Sequence, residues 1–593
     1  MPTLLRGPPT AALRARLGSE GLLKELPAST LEALLPSLEW LHADGGEQIL
    51  ANGQPCQGMF ILVSGRLEVV GDSGELLGPV NPGEPVGEMS LLSDQPHSAT
   101  VRAARDSILV RLSASTFPTV VQTQPAVLLA LCRIMVQRLK ERRSTPLVSR
   151  RAIAIIAATP YAPVRELAAA LSAELQMHGR VRMIDHLVVD DAIGPGTANA
   201  PRGSVEAAHL SDFVHDAECE SDQVLLVADD PESAWSARCA RHADLVLLVA
   251  HAHRAPAAFP ALRRTHSTAR HELVLLHPTS TSRPTGATAW RAVVPADGHH
   301  HVRVEHPGDV ARLARHLGGR SVSLVLAGGA VRGFAHLGVL TALEESGIPI
   351  DLIAGTSIGA VVGSLVAWGL NASEIRREMH DAFVKRSMID LTTPIVAVMA
   401  GRRMERWTQS MFGDAPIEDL WRPFRAVSSS LLRAKRVVHR DGLLRIALRA
   451  SVSVPGLLPP VVLGNDVLVD GLTMDNLPID VAQTDTRGRI IAANVVPPAA
   501  QDHLLALAKR SSLSHLVHML DPRQPERQAP LFQFLMQANF LSTIGHAERV
   551  RQIADVFIEP PVGHLGFIGS AVFDEAVRLG EDAARAALRG FKV

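Results

Sequence analysis

Ser321–Gly369 reads SVSLVLAGGAVRGFAHLGVLTALEESGIPIDLIAGTSIGAVVGSLVAWG, and this stretch decides the fold. Ser321 to Ala327 is a short run rich in Val and Leu, the pattern of a strand buried on both faces. A loop follows with Gly328, Gly329, Ala330, Arg332 and Gly333. Apolar Phe334, Leu337, Leu340 and Leu343 then recur at helical spacing, and Gly347 and Pro349 end the helix. A second strand is expected from Ile350 to Ala354, leading into Gly355-Thr356-Ser357-Ile358-Gly359 and an uncharged helix that stops at Gly369. Strand, helix, strand, helix is a parallel βαβ unit, and open α/β sheets carry their chemistry at the strand C-termini.

The second loop has the form G-x-S-x-G, in which a tight strand-to-helix turn projects the serine hydroxyl outward. Gly355 and Gly359 leave room for the neighbouring backbone, and Ser357 sits at a helix N-terminus that favours developing negative charge. The first loop offers the backbone N–H groups of Gly328, Gly329 and Ala330 as donors for an oxyanion. Losing one such donor typically costs about 3–4 kcal/mol of transition-state stabilisation. Each loop alone is a weak signal; two of them about 25 residues apart, each closing a buried strand, favour catalysis. A dinucleotide fingerprint fails at Ala330, and no Gly-Lys-Ser/Thr follows for a P-loop. Downstream, Asn465 to Leu472 reads as a strand ending in Asp470-Gly471, which by itself is an ordinary turn.

The stretch LVLAGGAVRGFAHLGVLTALEESGIPIDLIAGTSIG, joined to ASVSVPGLLPPVVLGNDVLVDGLTMDNLPIDVA and to Pro416–Trp421, resembles the patatin-like phospholipases, in particular the neuropathy-target-esterase branch. The resemblance implies a Gly-rich oxyanion loop, with Ser357 as nucleophile and Asp470 as its partner base. It also implies that Arg332 and Gly333 anchor the loop. Two positions depart from the family pattern. Ala330 replaces a usual glycine, so a left-handed backbone there is strained. Leu472 replaces a small residue and is expected to narrow the acyl channel.

The 593 residues suggest three or four domains at about 150 residues each. With a net charge of −1, nothing points to nucleic acid or to a strongly basic membrane face. Cys56, Cys132, Cys219 and Cys239 are scattered without a framework and read as reduced thiols of a cytoplasmic chain. The first twenty residues carry Arg6, Arg14 and Arg16 without an apolar core, so no signal peptide is expected. No lipid-compatible run of about 18 residues occurs outside the elbow helix.

The fold expected is multidomain. Residues 1–21 form an N-terminal segment and 22–143 a β-roll with helices. Residues 150–319 form a central α/β domain, and 321–593 an α/β hydrolase with a parallel sheet core. In the roll, a helix from Thr30 to Leu41 precedes short strands, with hairpins expected at Val63–Leu67 and Gly71–Gly74, and a helix from Pro125 to Lys140 closes it. GMFILVSGRLEVV followed by VNPGEPVGEMSLLSDQPHSATVRA resembles the cyclic-nucleotide-binding domain. The resemblance makes Gly87, Glu88, His97 and Ser98 the nucleotide-binding positions, but His97 stands where that family has a phosphate-clamping arginine. Without the guanidinium, binding is expected to be about ten- to a hundredfold weaker; the structural or docking role of the fold is then favoured over that of a cyclic-nucleotide effector site.

After a linker at 144–146, strands at Ile153–Ala158, Val181–Ile184, Val224–Ala228, Leu245–Ala250 and Leu273–Leu276 alternate with helices, a second parallel α/β pattern. No Walker lysine follows its first strand. Asp229 and Asp230 read as loop carboxylates. His299, His300, His301 and His306 alternate along strand-like sequence without closed metal spacing, so no metal site is expected. Asn371 with Glu374 predicts a capping box. The uncharged run Leu391–Gly401, followed by Arg402, Arg403 and Arg406, is either a flap for lipid contact or a buried segment. Helices are expected at Leu504–Leu520 and Leu531–Ile544.

The favoured reading is a serine hydrolase of (lyso)phospholipid acyl esters, needing no cofactor and making peripheral contact with membrane. One competitor is a non-catalytic, cyclic-nucleotide-responsive interaction protein built on the hydrolase fold. Another is a hydrolase using His503, His515, His546 or His564 as base. Nothing in the sequence sets the oligomeric state.

Overall fold

Apolar strands that alternate with amphipathic helices form the two parallel sheets that the sequence predicts. The computed structural model describes residues 2–4, 11–18, 21–71, 74–141, 152–159, 161–201, 204–254, 269–485, 487–496, 549–567 and 569–591. The linker at 144–146 and the helices expected at 504–520 and 531–544 lie outside these, as do His503, His515 and His546. The chain divides into two compact units. One comprises Met1–Leu276 with Ala289–His299, the other His277–Thr288 with His300–Val593.

In the first unit, one antiparallel sheet runs in the order Thr3–Leu4, Glu39–Ala43, Ser107–Ser113, Gly58–Ser64, Pro85–Val86. A second runs Gln48–Leu50, Thr100–Ala103, Leu67–Val70, Leu76–Val80. The helix expected from Thr30 to Leu41 spans only Ala28–Leu34, then tightens into a 3-10 turn at Leu35–Ser37, because Pro36 cannot continue it. Ser64-Gly65 is not a hairpin: Gly58–Ser64 and Leu67–Val70 belong to different sheets, and Gly65 at φ 100° turns the chain between them. The hairpin between Leu67–Val70 and Leu76–Val80 forms as expected. Parallel strands Val181–Ile184, Gln223–Ala228, Ala152–Ala157, Leu245–His251 and Arg270–His277 follow in that spatial order. Arg105 pairs with Glu218 and Arg241 with Asp106 (3.0 Å), all buried, tying the roll to the central layer. Asp229 is taken up by Arg165 at 3.0 Å.

The second unit begins its regular structure with α1 (Pro307–Leu317). Then come β1 (Val322–Leu326), α2 (Ala335–Glu345), β2 (Leu352–Thr356), α3 (Ile358–Trp368) and α4 (Ala372–His380). α5 (Arg402–Phe412), β3 (Phe424–Ser430), β4 (Lys435–His439) and α6 (Leu444–Ser451) follow. The described chain continues with β5 (Val461–Leu463), β6 (Asp466–Asp470), α7 (Ile479–Asp485), β7 (Arg489–Ala493), β8 (Val556–Ile558) and α8 (Phe573–Ala587). The sheet order is β5-β6-β3-β2-β1-β7-β8, with β4 also paired to β3. β3, β2, β1, β7 and β8 are mutually parallel, while β4 and β6 run antiparallel to β3.

β2 starts two residues later than expected because Asp351 is spent as a clamp. Its carboxylate takes the Arg315 guanidinium (2.6 and 2.9 Å) and the Val322 N–H (2.9 Å). The same clamp carries α1 into this unit, so the boundary expected at 319–321 falls inside it. Asn371 and Glu374 form the capping box that opens α4. α3 is buried along its length to Ala367, with Gly369 at φ 107° as its left-handed stop.

Candidate active site

β1 and β2 are adjacent and parallel, so the loops after Leu326 and Thr356 emerge side by side at one sheet edge. At the elbow Ser357 takes φ 55°, ψ −127°, a conformation that costs an L-residue about 1–3 kcal/mol and is held only where the surroundings dictate it. Those surroundings are visible. The Ser357 N–H donates to Ser451 Oγ (2.9 Å), whose own hydroxyl donates to Val427 O (2.7 Å). A Cβ on Gly355 would lie 2.6 Å from the Gly359 backbone, and one on Gly359 would lie 2.3 Å from Leu326 O. Both glycines are therefore required for α3 to sit against β1 and β2.

Asp470 reaches the same place by register. Thr356 of β2 pairs with Val427 of β3, and the next β3 residue, Ser428, pairs with Asp470 of β6. The carboxylate is thus level with Ser357, two strands away. It is fully buried, its N–H donates to Ser453 O (2.9 Å), and its Oδ1 accepts from the Leu472 N–H (2.9 Å). Burial pushes its pKa up to about 7, against smaller lowering by the Leu472 N–H and the Ser357 hydroxyl. Oδ2 completes no hydrogen bond with the described residues, although the serine hydroxyl is near enough to be felt. Such contacts commonly tighten only when substrate binds.

The oxyanion loop differs in one respect from expectation. The Gly328 N–H is already donated to Asn476 O (3.3 Å), and Asn476 Nδ2 donates back to Gly328 O (3.1 Å). Gly328 is thus a fastening point, while the N–H groups of Gly329 and Ala330, at the start of a 3-10 turn, take no backbone partner among the described residues. Ala330 does adopt the left-handed region, at φ 51°. Arg332 donates to Leu565 O (2.8 Å) and Gly563 O (2.9 Å) and stacks 3.9 Å from the Phe567 ring, which anchors the loop. Gly333 is needed for close approach, since a Cβ there would lie 2.2 Å from Ile358.

Leu472 is buried with Val454, Val496 and Phe567, beside Ala330 and Leu457, in a small apolar cluster next to the loop. The run at Leu391–Gly401 is not buried. Leu391, Ile395 and Val396 are 74%, 86% and 66% exposed, and Val398 and Met399 pair with Gly456 O and Leu457 O beside that cluster.

His336 follows the loop, but its Nε2 is bonded to Ala327 O (2.8 Å) and burial lowers its pKa to about 4. His564 pairs with Glu575 at the surface (3.1 Å). His301 is committed to His277 (2.9 Å) and Glu418 O (2.9 Å), and His300 packs on His316. His42, Asp44 and Asp106 bring ligand atoms within 4.8 Å of one another, but Arg241 holds both Asp106 oxygens. In the roll, Gly87 is left-handed at φ 81° and caps Glu88–Ser93, with Glu88 buried and Ser98 exposed. His97 is buried, its Nδ1 bonded to Ser90 Oγ (3.0 Å), and burial lowers its pKa.

Ser451, Ser453 and Asn476 were not singled out from the sequence; each acts through contacts with residues distant in the chain, with no local signal.

Three family models match the chain: patatin-like phospholipase over residues 324–482, the neuropathy target esterase family P-loop like domain over 149–325, and cyclic nucleotide-binding domain over 40–124. A lysophospholipase NTE1 of Pyricularia oryzae is 28% identical over 92% of this chain, which spans 42% of that protein. The sensor domain of the transcriptional regulator DNR from Pseudomonas aeruginosa is 26% identical over 23% of this chain and 99% of that one, with a TM-score of 0.20. An uncharacterised NTE family protein of Mycobacterium tuberculosis is 30% identical over 97% of this chain and 96% of its own length. With that match along nearly the whole of both chains, and a patatin-like phospholipase region around Ser357 and Asp470, the chain belongs to the NTE family.

Proposed function

We propose that the second unit hydrolyses acyl esters of phospholipids, lysophospholipids first among them, through a Ser357–Asp470 dyad. The observation that carries this is the buried Asp470 carboxylate, level with Ser357 and raised to about 7, where a base works best near neutrality. Asp470 takes the proton as Ser357 Oγ attacks the acyl carbonyl, and the Gly329 and Ala330 N–H groups hold the oxyanion. The C–O bond to the glycerol breaks and Asp470 returns the proton to the leaving alcohol. Water, deprotonated by the same carboxylate, then releases the fatty acid from Ser357. The apolar cluster around Leu472 receives the acyl chain, and the chemistry uses no cofactor. A fluorophosphonate probe should label Ser357, read by mass spectrometry of the peptide. Full lysophospholipid hydrolysis by Ser357→Ala or Asp470→Asn would refute the assignment.

The exposed Leu391, Ile395 and Val396, together with Arg402, Arg403 and Arg406 just beyond, support docking of this edge on an anionic lipid surface. Among the described residues no single helix is long and apolar enough to cross a membrane; the contact we propose is peripheral, from the cytoplasmic side. Ile395→Asp should lower co-sedimentation with anionic vesicles while hydrolysis of monomeric esters persists.

For the roll we propose a docking role with weak affinity for cyclic nucleotide, because a buried neutral imidazole at His97 gives no fixed charge to a phosphate. Calorimetry should give a dissociation constant above about 10 μM, improved about ten- to a hundredfold in His97→Arg. A submicromolar constant for the wild type would overturn this role.

A further inference from the structure

The opposite edge of the second unit's sheet holds a cavity of about 600 Å³, and its walls are rich in arginine. Five guanidinium groups line it, from Arg283, Arg303, Arg312, Arg315 and Arg422, against three carboxylates, from Asp309, Asp351 and Glu374. Their pairing is specific. Asp309 takes Arg303 (2.7 and 3.2 Å) and Arg312 (3.1 Å), and Asp351 takes Arg315 (2.6 and 2.9 Å). Glu374 accepts the Asn371 N–H in its capping box.

Arg283 and Arg422 have no carboxylate partner among the described residues. Arg422 is part-buried and donates only to a carbonyl, Val366 O (2.6 Å). Arg283 lies over the Trp368 ring at 4.8 Å. Burial lowers Arg422 to about 10, which still leaves it charged near neutrality. A guanidinium taken out of water needs an anion opposite it. Gly308, near the N-terminus of the eleven-residue α1, also lines the cavity, and its N–H has no partner there.

We propose that this cavity binds a small molecule through a phosphate group, at a site separate from Ser357. Two guanidinium groups without a carboxylate partner of their own suit a phosphate group, whose anionic oxygens accept the paired N–H geometry that arginine offers. The volume exceeds that of inorganic phosphate alone, so room remains for the organic part. The site is distinct from the catalytic edge because β2 leads from Asp351, at the cavity, to Ser357 six residues on, a span of about 20 Å.

Two sources supply that chemistry: a soluble phosphate ester or diphosphate, and a glycerophospho headgroup. The test is isothermal calorimetry on the full chain at fixed ionic strength, with pyrophosphate in one arm and glycerophosphocholine in the other. Saturable binding in either arm is expected, weakened at least tenfold in Arg422→Met and severalfold in the exposed-site variant Arg283→Ala. Pyrophosphate alone assigns the site to soluble phosphates, and glycerophosphocholine alone to the headgroup. Absence of saturable binding in both arms overturns the proposal, as does binding that neither substitution weakens. Should Arg422→Met fail to fold, Arg283→Ala decides the matter by itself.

Discussion

The two edges of the C-terminal sheet treat a buried charge in opposite ways. At the C-terminal edge of β2, burial raises the Asp470 carboxylate to about 7, poised between its two protonation states near neutral pH. At the N-terminal edge, burial lowers the Arg422 guanidinium only to about 10, and it stays charged. Desolvation disfavours the ionised form in both places. A carboxylic acid has room to shed that charge within the biological pH range, and a guanidinium does not. In keeping with this difference, proton transfer is proposed for the first edge and anion binding for the second.

The largest expected effect separates the edges most sharply. Ser357→Ala and Asp470→Asn should each lower kcat/KM for lysophospholipid by about 10³-fold or more while circular dichroism stays unchanged. Retained activity in Asp470→Asn would mean that burial at this edge serves packing alone.

Next is stability. Asp470 titrates higher in the folded chain than in the unfolded one. The folded state therefore holds the extra proton between about pH 4 and 7, and stability falls as pH rises through that window. Asp470→Asn should remove the fall, which is on the order of 4 kcal/mol over the whole window and about 3 kcal/mol between pH 5 and pH 8, where denaturant midpoints read it. Equal pH dependence in wild type and variant would contradict the raised carboxylate.

At the other edge, Asp351→Asn leaves the Arg315 guanidinium without its anion and should cost about 2–4 kcal/mol at any pH from 5 to 8. A cost that vanishes across this range would show that this edge also titrates.

The smallest effect concerns Ala330. Its left-handed φ of 51° disfavours a side chain, so Ala330→Gly should raise stability by less than about 1 kcal/mol, partly offset by the freedom of glycine in the unfolded chain. A drop in melting temperature would show that the methyl packs usefully against Leu472 and Phe567.

What the sequence revealed, it revealed through local pattern. The elbow glycines, the strain at Ala330, the Asn371 cap and the parallel order of β1 and β2 all follow from neighbours in the chain. The misreadings arose where distant contacts decided. The Gly328 N–H is taken by Asn476, and the elbow N–H by Ser451, and neither partner has a local signature. Ser64-Gly65 carries hairpin chemistry, yet its flanking strands find partners in different sheets. The arginine cavity was invisible because its cations come from three separate stretches, around Arg283, Arg303 to Arg315 and Arg422. Leu391–Gly401 left two readings open, because an uncharged run fits a buried segment as well as a lipid-facing flap. The exposure of Leu391, Ile395 and Val396 rules against the buried one.

The central claim is that Asp470 draws the proton from Ser357 without a histidine. The most direct measurement is the rate of Ser357 phosphonylation by a fluorophosphonate as a function of pH, followed by mass spectrometry of the labelled peptide. The account predicts a rate that climbs about tenfold per pH unit up to a single inflection near 7 and then levels, with labelling lost in Asp470→Asn. Labelling of the Asn variant at the wild-type rate, with the inflection intact, would contradict it.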